Sequence, residues 1–237
     1  MTRASRLSHY LLFPAAMAVL FTVGCGSSGS SNTSSTKIRF VNASLSSSIT
    51  TVNVLIDGTT VATALANGGG ATAYLSVASG ARHIQIQDPN TSTNLIDTTP
   101  TISGNTTYIF KDFITGTNTP LILSDDNTAP ATGNFKVRVV NVAPQLNAGT
   151  DVYVEPSTIT TLNGLPATLS GVLYPTASTY YTSTAGSWEV VFTPPGSQGI
   201  LAGGNAMTFA AGQVETVLIL GDINGPDYTE IALTDVQ

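Results

Sequence analysis

The chain has 237 residues, of which 42% are apolar and only 9% charged, and its formal charge is −6. Eight basic side chains against fourteen acidic ones supply no basic footprint, which excludes a nucleic-acid partner and a polybasic membrane-binding face. A single cysteine excludes an internal disulfide, and with His83 the only histidine beyond the first 24 residues, it also excludes a zinc site.

Residues 1–24 have the three parts of an export signal: basic Arg3 and Arg6, an apolar run from Tyr10 to Val23, and small Gly24 before Cys25. The run is about fourteen residues and contains Pro14, short against the roughly 20 that span a bilayer. Its end, FTVGC, resembles the lipobox of bacterial lipoproteins, with Thr22 where Leu is usual. That resemblance implies cleavage before Cys25 and acylation of its thiol and new amino terminus. Two or more acyl chains anchor a protein stably where one does not. Loss of Arg3 and Arg6 takes the formal charge to −8. Residues 25–36 then form the lipidated cysteine and a Ser/Gly tether, GSSGSSNTSST, with nothing apolar to pack. No Asp follows Cys25, so the inner-membrane retention signal of enterobacterial lipoproteins is missing, and the same resemblance implies the outer membrane.

Beyond the tether the chain repeats itself. KIRFVNAS (Lys37 to Ser44) recurs as KVRVVNVA (Lys136 to Ala143), and VNVLIDG from Val52 lies over DVYVEPS from Asp151. TAYLSVASGARHIQI from Thr72 parallels STYYTSTAGSWEVVF from Ser178, which aligns Tyr74 with Tyr180 and His83 with Glu189. LILSD at Asp125 matches IALTD at Asp235. Within each copy the apolar residues alternate with period two: Ile38 and Phe40 against Arg39 and Val41, Val52, Val54 and Ile56 against Asn53, Leu55 and Asp57, Ile84 and Ile86 against His83, Gln85 and Gln87. Asp57-Gly58 marks a tight hairpin, because both central residues must take positive φ.

About seven short strands per copy, with turns every 8 to 12 residues, predict an all-β protein of two tandem immunoglobulin-like β-sandwich domains. The expected division is 37–128 for the first sandwich, 129–134 for a Pro/Gly-containing linker and 135–237 for the second, with the two units folding independently. The opening (K)(I/V)R(F/V)VN(A/V)(S/A), the V-x-V strand and the tyrosine before a small-residue turn resemble the DUF4397 family, a domain of unknown function found in bacterial surface and lipoprotein chains. Family members commonly carry Pro-Asp-Ala after the first Asn, where this chain has Ser44-Leu45-Ser46 and Ala143-Pro144-Gln145. The resemblance implies a fold and a location and brings no activity.

No catalytic constellation is legible. A serine nucleophile needs a base, and His83 falls on the polar side of an alternating strand. No nucleophile elbow, phosphate loop or dinucleotide fingerprint occurs, and Gly68-Gly69-Gly70 precedes strand residues, not a helix. The acidic pairs Asp125-Asp126 and Asp151/Glu155 are each local to one strand end or turn, not evidently the two sides of a cleft. Tyr74, Tyr108, Tyr174, Tyr180, Tyr181 and Trp188 are available as sugar-stacking platforms, although the matched Tyr74 and Tyr180 read first as structural tyrosines. DINGPD from Asp222, with Glu230 beyond it, is the best metal candidate, yet Gly225 comes early for a calcium loop and the twelfth position is Leu233. An Asn-Gly turn explains the same residues, and Asp112 with the following FITGT offers less still. The expectation is therefore a non-enzymatic envelope lipoprotein without metal or cofactor, anchored to a membrane through lipid on Cys25. It is either a binding or adhesion module for a glycan or envelope protein, or a structural spacer. An exposed aromatic patch would favour binding; a uniform Thr/Ser surface would favour the spacer.

Overall fold

The computed structural model describes residues 35–112, 118–223, 225 and 227–236. The expected export signal, Cys25, residues 26–34 of the expected tether, FITGT, Asn224 and Pro226 lie outside the described residues, whereas Ser35 and Thr36, read as tether in the sequence, open β1 and pair with Ala78 and Val77.

Among the described residues the fold is all-β, with one 3₁₀ turn at Pro144–Leu146 and no α-helix. The first half contains β1 (Ser35–Asn42), β2 (Thr51–Ile56), β3 (Thr59–Ala66), β4 (Gly70–Ala71), β5 (Leu75–Ala78), β6 (Gly80–Ala81), β7 (Ile84–Gln87), β8 (Asn94–Thr98), β9 (Thr101–Ile102), β10 (Thr106–Phe110) and β11 (Leu121–Ser124). The second contains β12 (Asn134–Val142), β13 (Thr150–Pro156), β14 (Leu169–Val172), β15 (Thr176–Ala177), β16 (Tyr181–Thr184), β17 (Gly186–Thr193), β18 (Ala202–Phe209), β19 (Val214–Gly221) and β20 (Tyr228–Val236). Each half is sandwich-like, with the same strand orders. One sheet runs β11-β10-β1-β4 with β5 also on β1, matched by β20-β19-β12-β15 with β16 also on β12. The other runs β3-β2-β7-β8, matched by β14-β13-β17-β18. The hairpin at Asp57-Gly58 is formed as its sequence predicts, with φ of 49° and 77°.

Alternation along the strands fills two separate cores. Ile38, Phe40, Val52, Val54, Ile84, Ile86 and Tyr108 close the first. Phe135, Val137, Val152, Val154, Val190, Phe192 and Phe209 close the second, where the Phe135 and Phe209 rings stack at 4.4 Å between centroids. Register corrects one equivalence read from the sequence. Val54 pairs with Ile86 and Val152 with Phe192, so Val52, Val54 and Ile56 correspond to Thr150, Val152 and Val154, one residue earlier than the match of VNVLIDG to DVYVEPS. A one-residue slip would turn every side chain of the strand to the opposite face, and burial decides the register.

The opposite faces of β1 and β12 are also buried, so these strands are covered on both sides. Val41, Ala43 and Ile109 of the first half form a third apolar cluster with Val140, Val142, Leu218 and Leu220 of the second. Gly69, at φ +100°, lies so close to this seam that an added Cβ would stand 2.3 Å from Ile231 Cδ1. Two sandwiches expected to fold independently thus share a seam, and residues Thr33–Gln237 make one compact unit.

Candidate functional site

The repeated K-(I/V)-R motif owes its arginine to this seam. Arg39 Nε donates to Thr107 Oγ1 at 3.1 Å, and Thr107 Oγ1 donates to Asp125 Oδ2 at 2.8 Å. Asp125 Oδ1 accepts from Arg138 Nη2 of the other half. Arg138 Nε then donates to Thr216 Oγ1 at 3.0 Å, Thr216 Oγ1 to Asp235 Oδ2 at 2.7 Å, and Asp235 Oδ1 accepts from Arg39 Nη2. Six side chains close a ring in which each half supplies an Arg, a Thr and an Asp. The paired groups are almost wholly buried, 3% exposed for each guanidinium and 0% for each carboxylate. Burial pushes the Asp235 carboxyl up, and Arg39 and Thr216 oppose that shift. Tyr74 and Tyr180 belong to the same cluster. Arg39 lies 4.9 Å from the Tyr74 ring centroid and Arg138 5.3 Å from that of Tyr180, and the Tyr74 hydroxyl donates to Asp125 at 2.7 Å.

The other candidate aromatics are also engaged. Trp188 is buried and donates from Nε1 to Thr184 O at 3.0 Å. Tyr108 is fully buried and bonded to Thr98, its hydroxyl pushed up to about 12 mainly by desolvation. Tyr181 packs on the second core. The Tyr174 ring covers the ammonium of Lys111 at 5.2 Å. Among the described residues the large exposed apolar side chains are Ile122, Ile159, Leu173 and Ile200, none of them aromatic.

The outward face of the β3-β2-β7-β8 sheet is different. Register places Asn53, Gln87 and Asn94 in one row across it and Leu55, Gln85 and Asp97 in the next. Asp97 gathers three donors: His83 Nε2 lies 2.6 Å from Oδ1, while Gln85 and Asn94 donate to Oδ2 at 3.1 and 2.7 Å. Gln87 donates to Asn94 Oδ1 at 2.9 Å, which extends the array by one side chain. These bonds hold the exposed Asp97 carboxyl below its ordinary range, the bond from His83 contributing most. Asp57 closes one end of the array, accepting from the His83 backbone N–H and from Arg82, both at 3.0 Å. His83 and Asp97 side chains remain 43% and 47% exposed, so the array is fixed by its own bonds and open to solvent.

The corresponding face in the second half is closed. Tyr153 and Val191 are directly paired there and buried, and Ile159, Leu162 and Ile200 sit beside Val191 and Glu189 at a shallow depression. Gln198 donates to Leu162 O and to Leu165 O, tying two covering loops together. Asp151 accepts from the backbone N–H groups of Gly171 and Gly196 at 2.8 and 2.7 Å, a structural use of that carboxylate, while Glu155 pairs directly with Glu189 in the ladder. Asp125 and Asp126 also part: Asp125 enters the ring and Asp126 pairs with Lys136 at 2.7 Å, which lowers its carboxyl to about 2. Near the DINGPD segment, Glu230 lies on β20 against Gly203, its Oε2 buried without a hydrogen-bond partner among the described residues. Desolvation and the nearby Glu189 push its carboxyl up to about 7. Among the described residues no group of three or more His, Cys, Asp or Glu is arranged to hold a metal ion, and no helix is long and apolar enough to cross a membrane.

Sequence reasoning placed His83, Gln85 and Gln87 on a polar face but missed Asn94 and Asp97, whose strand lacks a clean alternation. It also missed the ring, although its residues recur at matched positions in both copies.

Residues 36–149 match the model of the family described as "Domain of unknown function (DUF4397)". None of the curated proteins matches the chain. Among solved structures, the chain is similar to CBMbc, a family CBM26 domain of Eubacterium rectale Amy13K solved in complex with maltoheptaose, at 12% identity and a TM-score of 0.28, over 86% of this chain and 98% of that one. It is also similar to a leucine-rich repeat protein from Bacteroides thetaiotaomicron, at 16% identity and a TM-score of 0.19, over 77% of this chain and 25% of that one.

Proposed function

We propose that the chain is a lipid-anchored, non-catalytic module of the cell envelope that recognises a polyhydroxylated envelope component, a glycan in the first instance, through the open polar face of its first half. One observation carries this reading: the exposed array of His83, Gln85, Gln87, Asn94 and Asp97 is already bonded into a fixed arrangement. Binding to such an array forfeits less side-chain freedom, about 0.5–1.5 kcal/mol for each side chain that would otherwise have to be immobilised. The amides retain donors and acceptors that sugar hydroxyls can use. In this reading Cys25 carries the lipid, the tether holds the body off an outer membrane, and 135–237 is a second copy of the domain in 37–128, joined through 129–134. The matched strand orders and the ring support that equivalence.

A test uses the full chain in detergent on immobilised envelope polysaccharides. Retention should fall at least tenfold in the double variant Gln85→Ala, Asp97→Ala. If the unaltered chain is retained by none of them, recognition by this face is lost as an explanation. The second reading is then the structural spacer, favoured by the absence of exposed aromatics among the described residues and by the buried apolar seam between the halves. The anchor is tested separately, since Cys25→Ala should abolish incorporation of labelled palmitate and release the chain from membranes. Membrane fractionation unchanged by that substitution would contradict it.

A further inference from the structure

The ring and the third apolar cluster have the form of a contact between two copies of one surface. Arg39 reaches Asp235 and the Thr234 carbonyl; Arg138 reaches Asp125 and the Ser124 carbonyl. Each half therefore carries both members of the pair it makes with the other, as an isologous interface requires. The apolar positions correspond as well, Val41 with Val140 and Ile109 with Leu218, each pair of neighbours being fixed by its own parallel ladder. The likeness fails at one place. The ladder that matches Ile109 to Leu218 brings Lys111 to the position of Leu220, and the segment before β4, Asn67 to Gly69, stands where the second half has Tyr174 and Pro175 before β15. Lys111 is 4% exposed, and its ammonium donates to the Tyr174 hydroxyl at 3.3 Å beneath that ring. The Tyr174 hydroxyl in turn donates to Asp112 O.

We infer that this seam is a recognition surface for the half-fold itself, and that Lys111 with Tyr174 makes the chain's own second half its partner. Two first halves could close the Arg-Thr-Asp ring, but Lys111 would then be buried against the segment Asn67 to Gly69, with no aromatic ring and no hydroxyl. Two second halves would set Tyr174 against Leu220, with no ammonium in the place of Lys111 to donate to its hydroxyl. The penalty on a buried ammonium without a partner thus disfavours the pairing of two first halves, and loss of the Lys111 bond disfavours that of two second halves, while the shared ring fixes the geometry of the unlike one.

The experiment uses the full chain in detergent, with a specific protease site replacing residues 129–132, exposed except for the half-buried Pro130. After complete cutting, the two halves should still migrate together at the size of the intact chain. Arg39→Asp should weaken their association at least ~100-fold, and Arg39→Asp with Asp235→Arg should restore most of it. Halves that separate while each remains folded would overturn the recognition surface. So would a double reversal that restores nothing. Unfolding and refolding the cut protein, followed by native mass measurement, tests the choice of partner: unlike pairs should exceed like pairs at least tenfold, and Lys111→Leu should bring that ratio towards the statistical one. A statistical mixture from the unaltered protein would overturn the role of Lys111 and Tyr174. Should the cut protein fail to refold, that role is decided on the cut, never-unfolded protein, where Lys111→Leu must reduce exchange resistance against an excess of labelled cut chain. Unchanged exchange would overturn it.

Discussion

The outward faces of the two sandwiches rest on the same strand order and meet solvent in opposite ways. In the first half the positions are Asn53, Leu55, Gln85 and Gln87, and the face is open; their counterparts Asp151, Tyr153, Val191 and Thr193 lie under loops. One apolar replacement, Gln85 to Val191, and one enlargement to an aromatic ring, Leu55 to Tyr153, turn a face that water can cover into one that needs protein over it. The segments 157–165 and 194–201 supply that cover, and they are longer than the turns they correspond to in the first half. One scaffold therefore yields an open polar face and a closed one from a handful of side chains.

The largest expected effects lie at the seam, outside this comparison of faces, and set its scale. Arg39→Leu leaves Asp235 and Thr107 buried without their partner and should destabilise the chain by about 3–5 kcal/mol. Arg82→Ala removes a half-exposed pair with Asp57 and should change stability by about 1 kcal/mol or less. Equal losses in denaturant unfolding would mean that the ring is no stronger than a surface pair.

The faces themselves are separated by Tyr153→Ala and Leu55→Ala. The first empties a buried site and should cost about 3 kcal/mol, while the second, on the half-buried open face, should cost about half as much. Similar losses would show that the loops over Tyr153 contribute little packing.

A smaller effect distinguishes the halves by pH. Glu230 in the folded chain holds its proton up to about pH 7, against an ordinary value near 4.5. Its contribution to stability is fully present below pH 4.5 and is lost as pH rises through 7, because only the unfolded chain ionises freely in that window. Glu230→Gln should therefore stabilise the chain at pH 8, by on the order of 1 kcal/mol once solvent screening is allowed for, and leave its stability unchanged at pH 4. A gain of the same size at both pH values would assign the effect to packing and not to charge.

Much of this architecture was legible from alternation and from the repeat. Ile38, Phe40, Val54, Ile84 and Ile86 point into a core because a period of two puts them on one face, and Asp57-Gly58 turns because both residues tolerate positive φ. The seam was not legible for the same physical reason: alternation separates two faces but does not say what covers the second one. Arg39, on the face opposite Phe40, looks like a solvent-facing strand residue until the other half is placed against it. Equivalence within the V-x-V strand slipped by one residue because VNVLIDG and DVYVEPS both alternate and only the pairing with β7 and β17 decides between them. The candidate face was half legible. Gln85 and Gln87 fall on the polar side of β7, whereas Asp97 becomes its centre only through the antiparallel pairing of β8.

The smallest expected effect on stability belongs to the candidate face. Asp97→Ala removes an exposed acceptor and should leave the midpoint of denaturant unfolding nearly unchanged, while abolishing retention on envelope polysaccharide. A larger loss of stability would give the array a structural role in place of a recognition one.

The central claim is that the open face of the first half is the surface that recognises. It is tested most directly by following the backbone amides of the isotopically labelled full chain, in detergent, during titration with soluble fragments of peptidoglycan and of surface polysaccharide. Saturable shifts confined to residues 83–97 and the facing part of β2 are the predicted result. Shifts clustered on 157–165 and 194–201, or no saturable shift with any fragment, would contradict it.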